Sequence, residues 1–180
     1  IDSATMMNKV FEIIEAKNIF NISYKKISIL IHPKSYIHAI IKFKNGIIKI
    51  LAHDTSMKIP IFNTLYNATN KTISSRLINF KKLNNLELKL ISSKKFPSIR
   101  ILNQLPEMTS LFETILVTLN DELVKRFLNK KIEFNQITPK IMKLLKTKEI
   151  KKYKSIKPNK IQDIIELSKY VRLKLNTLSI

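Results

Sequence analysis

The sequence predicts an α/β segment followed by an all-α one. Three observations carry this expectation. Apolar residues alternate at Ile27, Ile29 and Ile31, Asn45-Gly46 separates two apolar runs, and the chain from Ser98 onward has helical spacing. The expected organisation is a partial α/β domain over residues 1–66, an extended linker over 67–100 and a small helical bundle over 101–180.

Residues 5–20 read as a helix because Met6, Val10, Ile13 and Ile14 share one face, with capping oxygens on Asp2, Ser3 and Thr5 just before it. Residues 26–31 read as a strand, which His32-Pro33 ends because proline cannot donate to a ladder. A second strand covers 36–43, Asn45-Gly46 supplies a hairpin turn, and 47–51 returns. Ile59, Phe62 and Leu65 place a short helix over 58–66.

The next stretch changes character. Asn67, Thr69, Asn70, Thr72, Ser74 and Ser75 are polar, and short extended pieces follow around 86–90. Leu77, Ile78, Phe80, Leu83 and Leu86 are too apolar for a free tether, so this linker is expected to pack along a neighbouring domain. Helices are then expected over 98–105, 109–128, 138–145 and 160–175, the second with a break near Leu119. Thr138-Pro139 is a helix start with proline in the first turn. The lysine-rich stretch 146–160 reads as a solvated loop or helix end. Four short amphipathic helices on short loops suggest a bundle.

Composition removes several function classes. With no Cys, disulfides, thiolate metal sites and cysteine nucleophiles are excluded. Gly46 is the only glycine, so no glycine-rich phosphate loop is present, and any dinucleotide-binding domain is expected elsewhere. No apolar run approaches the roughly 18 residues of a membrane span, and no membrane partner is expected. The start, Ile1-Asp2-Ser3, lacks an initiator Met, and the chain is expected to be a piece of a longer protein.

The formal net charge is +20, from 33 Lys+Arg against 13 Asp+Glu, which raises nucleic acid as a partner. Apart from Arg76, Arg100, Arg126 and Arg172 these cations are lysines, and no aromatic stacking pattern accompanies them. Lys, Ile and Asn share A/T-rich codons, so the charge reads as codon bias and no nucleic-acid partner is expected.

Residues 2–12 carry the densest chemistry. Ser3, Thr5, Asn8 and Lys9 cluster at a helix start, where unpaired N–H groups and the positive dipole end attract anions. Asn8 and Glu12, four apart, project from one face, and Glu12 could give a hard divalent cation one oxygen ligand. The same residues also describe an ordinary capped surface helix.

Asp2-Ser3-Ala4-Thr5-Met6-Met7-Asn8-Lys9, followed by Glu12 and Ile14-Glu15-Ala16, resembles the substrate-loop motif of the 1-deoxy-D-xylulose 5-phosphate reductoisomerase family. Ile31-His32-Pro33-Lys34-Ser35-Tyr36-Ile37-His38 resembles that family's histidine-proline segment with its second histidine. Met57-Lys58-Ile59-Pro60-Ile61 is similar to its methionine-bearing loop, Phe80, Leu83, Leu86 and Phe96-Pro97 to its linker, and Leu119-Asn120-Asp121-Glu122 with Phe127-Leu128 to its C-terminal helical signature.

The resemblance implies that residues 1–66 are the second half of an α/β catalytic domain. It implies that Ser3, Asn8, Lys9 and Glu12 bind a phosphorylated sugar, with Glu12 one of three carboxylates on a divalent metal, Mg²⁺ or Mn²⁺. Lys9, Glu12 and His38 are the implied catalytic residues, and Met57 lies near the nicotinamide of NADPH. His38 also fits a backbone-bonded structural histidine, Met57 fits core packing, His32 reads as a strand end and His53 as surface. A homodimer is implied as well.

Departures from the family pattern are Val10 for a glycine, Lys34 for a glutamine, the altered stretch 52–56, and bulkier residues around 116–119. With one metal carboxylate and no cofactor domain, these 180 residues alone are expected to be inactive. The composition leads to an expected location in an A/T-rich parasite's plastid or an A/T-rich bacterium's cytoplasm. The rival expectation is a basic nucleic-acid-binding module or a diverged non-catalytic relative.

Overall fold

The computed structural model describes residues 1–66 and 70–177, so Asn67 and Thr69 of the polar stretch lie outside the described residues. Among those described, the chain is mostly helical with few strands. In chain order the elements are α1 (Asp2–Thr5), α2 (Met7–Phe20), β1 (Leu30–Ile31), β2 (Ile37–Lys42), β3 (Ile48–Ala52), α3 (Lys58–Leu65), α4 (Phe80–Asn84) and β4 (Lys89–Leu90). Then follow α5 (Leu111–Leu128), α6 (Ile137–Leu145), α7 (Lys148–Lys151) and α8 (Ile161–Thr177). Short 3₁₀ turns lie at Tyr24–Lys26, Pro97–Gln104, Phe134–Gln136 and Lys152–Ser155.

Contacts group the chain into two units, Ile1–Ser28 with Ser92–Ile180, and Ile29–Ile91. This grouping cuts across the expected 1–66, 67–100 and 101–180 segments. The reason is the apolar face of α2, whose Met7, Val10 and Ile14 belong to one core with Ile101 and the C-terminal helices.

In the first unit α5 is central. Phe112, Ile115, Leu116, Leu119 and Leu123 recur at helical spacing and are almost wholly buried. Ile137, Ile141 and Leu145 of α6 and Leu167, Val171 and Leu175 of α8 complete that core. Each such side chain stabilises the fold by about 1.5–3 kcal/mol. Ser110 opens α5 with a capping box, accepting from the Phe112 N–H at 3.1 Å while Glu113 reaches back to the Ser110 N–H at 3.2 Å.

The expected break near Leu119 does not occur. Leu116, Leu119 and Leu123 all face the core, and the Thr118 hydroxyl is satisfied by the Thr114 carbonyl at 2.8 Å and Ser168 Oγ at 3.0 Å. The bulkier residues around 116–119 are thus largely taken up by the core. Val10, the other bulky departure, is fully buried as well.

The expected strand over 26–31 shrinks to Leu30–Ile31. Upstream of it, Ser23 accepts from the Lys25 N–H at 3.2 Å and donates to Glu107 at 2.9 Å, which fixes a 3₁₀ turn instead. Stretch 146–160 is also more ordered than expected, forming α7 and the turn after it.

The second unit contains two antiparallel pairs, β1 with β4 and β2 with β3. Gly46 takes φ 87° in the β2–β3 turn, where the Phe43 carbonyl accepts from the Gly46 N–H at 3.1 Å. The register slips by one between Ile37↔Ala52 and Ala39↔Leu51, making His38 the extra residue of a β-bulge. Ile41, Ile48, Ile50 and Leu51 of this hairpin remain half exposed. Within the expected linker, Asn79 caps α4 by accepting from the Lys82 N–H at 2.9 Å.

Candidate active site

Residues 2–12 do not form one smooth helix. Met6 adopts the left-handed conformation, φ 61° and ψ 18°, between α1 and α2. A methionine has no intrinsic preference for this region, where a side chain costs about 1–2 kcal/mol. The break is held from both sides. The Met6 N–H donates to the Ser3 carbonyl at 3.3 Å, and the Met6 carbonyl accepts from the Lys9 N–H at 3.2 Å. Thr5 Oγ1 donates to the Asp2 carbonyl at 3.2 Å, and buried Ser98 donates to the Thr5 carbonyl from 93 positions downstream. Backbone strain maintained by such contacts is a feature of functional sites.

Past the break, α2 separates two faces. Met7, Val10, Ile13 and Ile14 turn inward. Lys9 and Glu12 turn outward, with side chains 41% and 52% exposed. Lys9 Nζ lies 2.7 Å from Glu12 Oε2, and Asn8 Nδ2 donates to Glu12 Oε1 at 3.5 Å. Both carboxylate oxygens are therefore held by neighbours. An exposed pair of this kind adds at most about 1 kcal/mol of stability. Asn8 Oδ1 is shielded from solvent and has no hydrogen-bond donor, and Ser3 is exposed beside the break.

Asp2 adds a contact that sequence reasoning missed. Its carboxylate accepts from Asn120 Nδ2 of α5 at 3.1 Å. The sequence signals were that Asn120 stands in a polar run, Asn120-Asp121-Glu122, and within the segment that resembles the family's C-terminal signature.

In the second unit, His38 is exposed on its bulge and its ring stacks on His53, with centroids 3.6 Å apart and planes 4° from parallel. His38 Nε2 lies 3.2 Å from the His53 carbonyl. His53, read as a surface residue, is half-buried by this stack. His32 Nδ1 approaches the Glu87 carbonyl at 3.3 Å, as suits a strand end. Met57 stands just before α3 and is 65% exposed.

As a metal site the arrangement is partial. Glu12 offers one oxygen ligand, whereas hard divalent cations take about six or more oxygens. Among the described residues no group of three or more His, Cys, Asp or Glu side chains could hold a metal ion.

Comparison with known proteins decides which family this arrangement belongs to. Residues 53–174 match the DXP reductoisomerase C-terminal domain. The 1-deoxy-D-xylulose 5-phosphate reductoisomerase of Pelagibacter ubique (strain HTCC1062) is 58% identical over 180 residues, all of this chain and 46% of the relative. This chain belongs to the 1-deoxy-D-xylulose 5-phosphate reductoisomerase family.

Solved reductoisomerase structures agree. The Zymomonas mobilis enzyme in complex with NADPH is 26% identical with a TM-score of 0.82, over 99% of this chain and 47% of that one. A reductoisomerase in complex with NADPH, fosmidomycin and magnesium is 27% identical with a TM-score of 0.83, over 97% of this chain and 44% of that one. The chain thus spans about half the length of the reductoisomerases it matches. Among the described residues no helix is long and apolar enough to cross a membrane.

Proposed function

We propose that this chain is the C-terminal part of an enzyme that rearranges and reduces 1-deoxy-D-xylulose 5-phosphate to 2-C-methyl-D-erythritol 4-phosphate. NADPH and a divalent metal, Mg²⁺ or Mn²⁺, are its cofactors. The observation that carries the reading is the Asn8–Lys9–Glu12 cluster on the exposed face of α2, directly after the strained Met6. The magnesium and NADPH held by its structural relatives support the cofactor assignment.

In this reading Lys9 is a point charge for the substrate phosphate, and the Ser3 hydroxyl and Asn8 amide direct hydrogen bonds to phosphate or sugar oxygens. Glu12 contributes one of the metal's carboxylates. When bound, the metal stabilises negative charge developing on the substrate's oxygens. The Lys9–Glu12 contact orders both groups beforehand, and substrate phosphate would draw the ammonium away from the carboxylate. Asn8 bridges the two tasks, because its Nδ2 already holds Glu12. The family resemblance gives His38 a supporting role, and its ring is oriented by the stack on His53. Met57, exposed at the start of α3, would border the nicotinamide.

Residues 1–66 would complete an α/β catalytic domain whose remaining strands belong to the other half of the relatives' length. Residues 67–100 would be its linker and 101–180 its helical domain. The half-exposed apolar hairpin supports a homodimer.

The test is NADPH oxidation with 1-deoxy-D-xylulose 5-phosphate and Mn²⁺. A protein of the relatives' full length containing this chain will consume NADPH in a substrate- and metal-dependent way. The 180-residue chain alone will not. Turnover by the short chain, or none by the long one, contradicts the proposal.

A further inference from the structure

A second concentration of chemistry lies in the first unit, on residues that the proposed reaction does not use. A cleft of about 500 Å³ gathers Arg100, Lys146, Lys151 and Lys154. These come from two pieces of backbone: the 3₁₀ turn Pro97–Gln104, and the continuous stretch from the end of α6 through α7 into the 3₁₀ turn Lys152–Ser155. Among the described residues no carboxylate lines the cleft, and none of the four cations is in an ion pair.

The nearest acid in sequence is committed elsewhere. Glu149, two positions before Lys151, pairs with Lys174 and accepts from the Tyr170 hydroxyl at 2.8 Å. Arg172 likewise has Asp121 and Glu122. What sets these four apart from the unit's other cations is that they line one cleft. Like charges gathered without a counter-ion repel, and a low-dielectric wall strengthens the repulsion.

Lys154 is the best defined of the four. It is half-buried, with Nζ 4.8 Å from the centroid of the fully buried Phe112 ring. Burial first, and the charge of Lys151 second, hold its ammonium below the ordinary lysine range. An anion in the cleft would offset the repulsion and favour the charged ammonium. Asn103 and Gln104 add amide donors with direction, and Arg100 adds a planar fork suited to phosphate oxygens. The volume is that of a small-molecule site, and no aromatic lines the cleft to stack a base.

We propose that the cleft of Arg100, Lys146, Lys151 and Lys154 binds a small anion bearing a phosphate or diphosphate group.

Inorganic pyrophosphate titrated into the 180-residue chain by calorimetry, at fixed ionic strength, tests this. The wild type will show saturable binding, and the double variant Lys151→Gln, Lys154→Gln will bind at least about tenfold more weakly. Arg100→Gln, an exposed change, will weaken binding in the same direction and serves if the double variant fails to fold. Lys42→Gln with Lys44→Gln removes equal charge from the hairpin end, and Lys9→Gln removes the cation of the candidate active site. The hairpin variant will stay within about twofold of wild type. Absence of saturable binding overturns the proposal. An equal loss in the hairpin variant overturns it in favour of diffuse charge attraction. A loss confined to Lys9→Gln overturns it in favour of the candidate active site, and at the same time supports the proposed function.

Discussion

The Asn120 side chain, midway along α5, donates to the Asp2 carboxylate at 3.1 Å across 118 positions of sequence. A buried residue of the C-terminal helices thus grips the start of the loop that carries Ser3, Asn8, Lys9 and Glu12. Ser98 grips the same loop at the Thr5 carbonyl. The helical unit and the candidate active-site loop are one packed object.

Asn120→Ala should therefore lower stability by about 1–3 kcal/mol, because it removes a buried donor and leaves Asp2 without it. In the full-length enzyme it should also raise KM for the phosphorylated substrate. Chemical denaturation and steady-state kinetics check the two effects. Unchanged stability would show that the contact is not maintained in solution.

Ser110→Ala should cost about 1 kcal/mol, since the Phe112 N–H loses its acceptor at the start of the central helix. Urea unfolding followed by circular dichroism measures it. Ser110→Asp, which keeps an acceptor at the cap, should recover part of the loss.

Asp163 gives a pH dependence. Backbone N–H groups of Asn159 and Lys160, at 2.8 and 3.1 Å, hold its carboxyl below the usual aspartate range. For an acid with a depressed folded value, stability is present above the unfolded value, near about 4, and is lost as pH falls through the folded value. Asp163→Asn should then lower the melting temperature at neutral pH, with the difference from wild type shrinking as pH falls through the folded value. A difference that persists undiminished in acid would assign the effect to shape rather than charge.

Much of this was legible in the sequence because local signals agreed with tertiary ones. Asn45-Gly46 fixed the hairpin, and the spacing of Phe112, Ile115, Leu116, Leu119 and Leu123 fixed α5. The family motif drew attention to Ser3, Asn8, Lys9 and Glu12, where periodicity alone described a capped helix. Other features leave no local trace. Nothing about methionine announces positive φ at Met6, because surrounding hydrogen bonds impose it. Alternation at Ile27, Ile29 and Ile31 suggested a strand, yet the Ser23–Glu107 contact over 84 positions set a turn just upstream. The His38–His53 stack and the Asp2–Asn120 bond depend on partners 15 and 118 positions away, beyond the reach of any periodicity.

The apolar hairpin yields a prediction about assembly. If Ile48 and Ile50, 57% and 53% exposed, lie in a dimer contact, changing both to Lys will shift the full-length protein from dimer to monomer in light scattering. A monomeric wild type, or a variant that remains dimeric, removes this role.

The account rests most heavily on Glu12 as a metal-bearing carboxylate, so the decisive measurement is metal-dependent NADPH oxidation by full-length Glu12→Gln. The change keeps size and one acceptor oxygen while removing the charge that a divalent cation requires. The account predicts that turnover of 1-deoxy-D-xylulose 5-phosphate falls by at least about a thousandfold, roughly 4 kcal/mol of transition-state stabilisation, with the fold intact by circular dichroism. Turnover within a few-fold of wild type at the same Mn²⁺ concentration would contradict it.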